Sequence, residues 1–292
     1  MTSTLMTPFT LTLPGGRLLS VERPVVMAII NATPDSFYEG SRCNRVGEAA
    51  AVAERLVSEG ADWLDIGGCS TRPGADLPEE AEEIDRIGHA LYEVRKAVGK
   101  DVPVSVDTFR ANVAREAIEN LGADIINDIS GGLLDENMFA TAAAVKAPYI
   151  LTHTRGTPAQ MQSLTDYPSG VMAGVVAELQ HRLDMLALEG VNDVIVDPGL
   201  GFAKTLEQNY RLLTGVDEMR RLLSRPVLIG LSRKSMITRL LKIEADRALA
   251  PTMALNLMAL TGGAAIIRVH DAREGSQAVK LALALCDKFP QI

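Results

Sequence analysis

The sequence predicts an α/β fold, a (β/α)8 TIM barrel with a short N-terminal β-hairpin. Three observations carry the prediction. Eight short apolar runs, rich in Val and Ile, each lead into a polar or glycine residue. The helical segments between them are long enough for parallel crossovers. The 292 residues are close to the ~250 typical of one such barrel. Runs of this kind read as strands buried on both faces, as in a parallel sheet covered by helices. An open doubly wound sheet is the alternative these elements allow. No linker or composition shift divides the chain, so one domain is expected over 1–292, with the hairpin at about 9–22 and the barrel at about 24–292.

Phe9-Thr-Leu-Thr-Leu13 alternates, Pro14-Gly-Gly16 turns, and Leu18 to Val21 resumes, which gives the hairpin that plugs one end. The first barrel strand is Val25 to Ile30, ending in Asn31. An Ala-rich helix over Val46 to Ser58 stops at Gly60, and Trp63 to Gly67 is the second strand. A helix from Pro78 to Val98 leads to the strand Val102 to Val106, ending in Asp107. A helix from Arg110 to Asn120 stops at Gly122, before Asp124-Ile-Ile126 and then Asn127-Asp128. The fifth strand, Pro148 to Thr152, ends in His153. The helix Ser169 to Leu188 stops at Gly190, and Val194-Ile-Val196 ends in Asp197-Pro-Gly-Leu-Gly-Phe202. Thr205 and Gln208 have capping-box spacing. Pro226 to Leu231 leads to Ser232-Arg-Lys234. A helix through Met253 to Leu260 stops at Gly263, Ala264 to Ile267 ends in Arg268-Val-His270, and an Ala/Leu-rich helix follows.

Composition excludes several classes. A net charge of −8 argues against nucleic-acid or membrane-surface binding, which usually shows as basic excess. No apolar run reaches the ~18 residues of a membrane span, and the first residues lack signal-peptide character. Cys43, Cys69 and Cys286 are odd in number and lack metal-ligand spacing, as in a reducing cytoplasm. A cytoplasmic location is expected.

In a barrel of this type the site lies at the carboxyl ends of the strands. Those ends read Asn31, Gly67-Gly68, Asp107, Asn127, His153, Asp197, Lys234 and Arg268 with His270. Any one of them has an ordinary alternative; Thr108 and Asp128 read mostly as helix caps. As a set, Asp107, Asn127 and Asp197 suit a flat heterocycle with adjacent N–H donors. Lys234, Arg268 and His270 suit an anion or a departing phosphate. Asn31 is an oxygen that a hydrated Mg²⁺ accepts. The Gly/Pro/Ser-rich segments Thr33 to Arg42 and Cys69 to Ala75 read equally as closing lids and as ordinary surface loops.

Eight motifs in order resemble dihydropteroate synthase: Asn31-Ala-Thr-Pro-Asp-Ser-Phe37, Asp65-Ile-Gly-Gly-Cys-Ser-Thr-Arg-Pro-Gly-Ala75, Ser105-Val-Asp-Thr108, Asn127-Asp-Ile-Ser-Gly-Gly132, Arg155-Gly-Thr-Pro158, Asp197 to Phe202, Ser232-Arg-Lys-Ser235 and Arg268-Val-His-Asp271. The resemblance implies a folate-pathway transferase that joins 6-hydroxymethyl-7,8-dihydropterin pyrophosphate to p-aminobenzoate with Mg²⁺. It implies that Asp107, Asn127, Asp197 and Lys234 hold the pterin, and that Asn31, Arg268 and His270 hold the pyrophosphate, Asn31 through the metal. Phe37, Thr71, Arg72, Pro73, Phe202 and Ser235 would form the p-aminobenzoate pocket. Asp35, Lys234 and Arg268 would be catalytic, acting on a pterin methylene cation. A homodimer through the last helices and competition by sulfonamides are further implications.

The chain departs from the family pattern at Cys69 (usually Glu), Thr154 (commonly Met), Ala203 (commonly Gly) and Ala265 (often polar). A catalytically silent pterin-binding paralogue and a methyltetrahydrofolate-binding methyltransferase domain are the rival readings.

Overall fold

The computed structural model describes residues 5–32, 47–69 and 77–286. A two-stranded antiparallel hairpin, β1 (Phe9–Leu13) and β2 (Arg17–Val21), precedes eight parallel strands. These are β3 (Val25–Asn31), β4 (Trp63–Gly67), β5 (Val104–Asp107), β6 (Ile125–Asp128), β7 (Tyr149–Thr152), β8 (Val194–Asp197), β9 (Leu228–Gly230) and β10 (Ile266–Val269). Their order, β8-β7-β6-β5-β4-β3-β10-β9, runs in chain sequence around a ring. The ring meets at one bridge between Val196 and Val227, where the Val196 N–H donates to the Pro226 carbonyl at 2.9 Å. The predicted barrel and hairpin are both present.

Helices α1 (Glu48–Ser58), α2 (Glu80–Val98), α3 (Ala111–Glu119), α4 (Met138–Val145) and α5 (Val171–Leu188) fill the earlier crossovers. The later ones are α6 (Leu206–Thr214), α7 (Val216–Leu223), α8 (Ser235–Leu241) and α9 (Leu249–Thr261), with α10 (Ala272–Leu285) after the last strand. Helix α2 shows why such segments are helical. Its buried Glu83, Ile87, Ala90, Leu91 and Val94 fall on one face, with acids in the first turn and Arg95 and Lys96 in the last. The predicted glycine stops occur where the chain leaves a helix for a strand. Gly60, Gly122, Gly190 and Gly263 have φ of 102°, 87°, 92° and 99°, a region that favours glycine. The capping box at Thr205 and Gln208 also forms.

Helices α4, α7 and α8 have no counterpart among the predicted segments. The sequence of α4, Met-Phe-Ala-Thr-Ala-Ala-Ala-Val, is apolar almost all round and therefore shows little periodicity. The seven residues of α8 are too few to show one.

Alternation along the strands divides the barrel interior into layers. Met27, Trp63, Ile125, Ile150, Ile195, Leu228 and Ile266 cluster with Met6, Leu11, Leu13 and Val21 from the N-terminal segment and hairpin. This is an apolar floor, in which each fully buried large side chain contributes about 1.5–3 kcal/mol. Two residues further along a strand lies the same face. That step goes from Trp63 to Asp65, Ile125 to Asn127, Ile195 to Asp197 and Ile266 to Arg268. The polar layer therefore sits directly on the apolar one, at the carboxyl ends of the strands.

Candidate active site

Inward orientation shows in contacts that skip a strand. Arg268 on β10 reaches past β3, donating from Nε to Asp65 Oδ2 on β4 at 2.6 Å and from Nη2 to Asp107 Oδ2 on β5 at 2.6 Å. Asn127 on β6 donates from Nδ2 to both oxygens of Asp65, at 3.2 Å each. Ser105 Oγ donates to Asp65 Oδ1. Asp65 itself is 0% exposed, whereas Asp107 and Arg268 keep about a fifth of their side chains accessible.

Burial pushes the Asp107 carboxyl up to about 7, against the downward pull of Arg268. Burial works against the Arg268 charge, but the Asp65 and Asp107 carboxylates hold its pKa above the ordinary value. The guanidinium thus stays charged.

Asp197 closes β8 beside this group. Its Oδ1 accepts from the Gly199 N–H at 2.7 Å, which turns the chain sharply away. Gly199 has φ 65°, and a Cβ there would lie 1.9 Å from the His153 carbonyl oxygen, so only glycine fits. Burial raises the Asp197 pKa, opposed first by Lys234. Lys234 donates from Nζ to the Leu200 carbonyl at 2.6 Å and stands 4.7 Å from the centre of the Phe202 ring, a cation–π contact. Burial brings its pKa down to about 8.

His270 Nδ1 lies 3.0 Å from Ser232 Oγ, and burial takes its pKa down to about 4. The ring is placed at the mouth beside Arg268, as an anion-binding role requires. Asn31 is half-buried at the end of β3, opposite Gly67 of β4. Ser235 is exposed at the first turn of α8.

His153 does not join this mouth. It lies an odd number of residues from the inward Ile150, so its ring turns out toward α5. There His153 Nε2 is 3.1 Å from Glu178 Oε2, and Lys204 Nζ is 3.0 Å from His153 Nδ1. Lys204 also donates to the carbonyls of Gly199 at 3.1 Å and Phe202 at 2.8 Å. Arg155 completes the group through Glu178 and lies over the Tyr167 ring at 3.7 Å. Burial lowers His153 to about 3 and Lys204 to about 7. Burial works against the Glu178 charge, but the bonds from His153 and Arg155 hold its pKa down at about 2.

Asp128 also points away from the mouth. It accepts from the N–H groups of Ser130 at 2.7 Å and Gly132 at 2.6 Å and from Tyr149 Oη, so it braces the turn after β6 and caps no helix, because the next helix starts only at Met138.

Asp107, Asn127, Asp197, Lys234, Arg268, His270 and Phe202 all lie at the carboxyl-end mouth. Asp35, Phe37, Thr71, Arg72, Pro73 and Cys43 lie outside the described residues. Among the described residues no group of three or more His, Cys, Asp or Glu is placed to hold a metal, and no helix is long and apolar enough to cross a membrane. The residue that sequence reasoning left without a role is Asp65. An acid in the middle of Trp-Leu-Asp-Ile-Gly, in step with Trp63, was the available signal.

Comparison with known proteins agrees with this geometry. Residues 27–270 match the model of a family described as pterin binding enzyme. Dihydropteroate synthase of a Synechocystis strain is 43% identical over 268 residues, 90% of this chain and 91% of its own. That of Clostridium beijerinckii is 36% identical, with 89% and 93% covered. Among solved structures, the Yersinia pestis dihydropteroate synthase in a sulfonamide drug complex superposes with a TM-score of 0.88 at 37% identity, covering 96% of this chain and all of that one. The Xanthomonas albilineans enzyme with 4-aminobenzoic acid gives 0.85 at 35% identity, covering 97% of this chain and all of that one. With its barrel and nearly its whole length shared with these enzymes, the chain belongs to the pterin-binding enzyme family and, within it, to the dihydropteroate synthases.

Proposed function

We propose that the polar layer binds the pterin ring of 6-hydroxymethyl-7,8-dihydropterin pyrophosphate. The chain then joins this substrate to p-aminobenzoate, releasing pyrophosphate and 7,8-dihydropteroate. One observation carries the assignment: three inward acceptor-bearing side chains, Asp107, Asn127 and Asp197, stand on an apolar floor beside the cations Lys234 and Arg268. The amino group and ring N–H edge of a pterin supply donors to those acceptors, and burial strengthens each bond.

The described mouth offers no nucleophile paired with a base, and this chemistry needs none. The bond between the pterin methylene carbon and the pyrophosphate oxygen breaks, and its electron pair leaves with pyrophosphate. The ring delocalises the resulting cation. The aniline nitrogen of p-aminobenzoate attacks that carbon and loses a proton. Arg268, permanently charged, stabilises the departing anion, and His270 adds hydrogen bonding. Lys234 faces both the ring site and the Phe202 side, where Phe202 and Ser235 form the p-aminobenzoate pocket with Phe37, Thr71, Arg72 and Pro73. Asp35 supports the cation. Catalysis is charge stabilisation and positioning.

Magnesium fits the donor set. A hydrated Mg²⁺ arriving on pyrophosphate needs few protein oxygens, and Asn31 supplies one; bound there, the ion would neutralise charge on the leaving group. A homodimer through α9 and α10 is supported by the exposed Met258, Leu281 and Leu285, at 44%, 57% and 66%. The acidic charge and the odd, unspaced cysteines support a cytoplasmic setting.

The test is an assay of purified protein with the pterin pyrophosphate and Mg²⁺, with and without p-aminobenzoate, following pyrophosphate and dihydropteroate together. Matched release that depends on p-aminobenzoate is expected. Pterin binding without dihydropteroate would return the silent paralogue or the methyltransferase domain as the better reading.

A further inference from the structure

Asp65 is fully buried and so cannot touch a ligand, yet its two oxygens receive Ser105 Oγ, Asn127 Nδ2 and the Arg268 guanidinium. A carboxylate is acceptor-only. It therefore holds the amide nitrogen of Asn127 across the barrel interior and leaves the amide oxygen, on the opposite branch, for another partner. The same carboxylate grips the Nε–Nη2 edge of Arg268, and Nη2 is shared with Asp107. From this geometry we infer that Asp65 is the positioning residue of the site. It sets which atom Asn127 offers to the pterin, and it holds Arg268 in register with Asp107. A site with three acceptors toward the ligand then selects a heterocycle edge made of donors.

This rests on the pterin and pyrophosphate roles proposed above, so the experiment separates the two. D65N puts a donor where Asn127 and Arg268 both need an acceptor. It is expected to lower kcat/KM for the pterin pyrophosphate by about 30-fold, with KM for p-aminobenzoate within roughly threefold of the parent. The exchange D65N/N127D restores one donor and one acceptor to the pair and still offers an oxygen to the ligand. It is expected to recover about tenfold of the loss, which a merely structural role would not predict.

D65N kinetics within about threefold of the parent would overturn the inference, as would a loss shared equally by both substrates or an exchange that recovers nothing. If D65N does not fold, S105A removes one of the donors to Asp65 without touching the carboxylate. A several-fold loss confined to the pterin substrate supports the inference, and unchanged pterin kinetics overturn it. R268K is the control for the underlying reading. If it costs nothing, the site assignment fails; if it is impaired while D65N is not, only the role of Asp65 fails.

Discussion

Two buried charged groups lie on either side of the Asp197 turn. One, made of Asp65, Asp107, Asn127 and Arg268, is inside the barrel and opens to the mouth. The other, made of His153, Lys204, Glu178 and Arg155, lies between the strand ends and α5. Both perturb their members strongly, with Asp107 pushed up to about 7 and Lys204 down to about 7. What differs is where their hydrogen bonds end. Lys204 spends its bonds on His153 and on the backbone of the Asp197 turn, so its role is to hold a loop. Among the described residues Arg268 is bound by carboxylates alone, at a partly open mouth, which leaves it placed to meet the ligand proposed for the site. Perturbed ionisation alone does not distinguish a site from a brace.

The largest expected effect is at Asp197, which stands between the two groups. Asp197→Asn removes an acceptor facing the ring and should weaken pterin binding about 100-fold. The fold should keep its Tm or gain slightly, because a buried carboxylate is neutralised. Calorimetric titration with the pterin and a thermal melt check both, and unaltered binding would remove Asp197 from the site.

Next, Lys204→Met breaks the outer group. It leaves two carbonyls and His153 Nδ1 without their donor, and it should cost about 2 kcal/mol of stability, a few degrees in Tm. Kinetics at low temperature should change by no more than roughly threefold. The lysine pKa is lowered in the folded state, from 10.5 to about 7. The unfolded chain therefore holds more protons between those values, and the contribution of this group to stability rises with pH across that window. The Tm gap between parent and variant should widen from pH 7 to pH 9, and a constant gap would show that Lys204 is not the titrating group.

A smaller effect sharpens the contrast. Lys234 loses its charge above about 8. The kcat/KM for the pterin pyrophosphate should therefore fall through an alkaline limb near that pH, by at most about tenfold per unit. Lys234→Arg should move the limb to higher pH, whereas Lys204→Met should leave it in place. Smallest of all, Thr205→Ala removes the α6 cap next to the outer group. It should cost about 1 kcal/mol, about 2 °C in Tm, with kinetics unaffected.

The strand ends were legible in the sequence because each is a β-branched run meeting a polar residue, and Asp107, Asn127, Asp197 and Arg268 were found that way. Whether a residue at a strand end looks inward depends on its step from the apolar floor. A polar residue after a β-branched run marks a strand end but not the way it faces, so that signal alone places His153 with the mouth and gives Asp65 no role. Both could have been placed by stepping in twos from Ile150 and Trp63. The partner of Lys204 could not, because His153 and Lys204 are 51 residues apart and no local pattern joins them. The downward pull of burial on the His270 pKa was equally hidden, since burial is a property of the fold. Helix α4 escaped because a helix apolar on nearly every side carries no stripe.

The barrel closes between β8 and β9 at the single Val196–Val227 bridge, and Pro226 has no N–H to add there. Asp197 follows one lip of this seam and Lys234 lies just beyond the other. A ring gripped by both residues would act as a splint across the barrel's weakest join. Substrate would then do more than fill the mouth: it would supply a missing rung, and the empty barrel would be the more easily sprung of the two states.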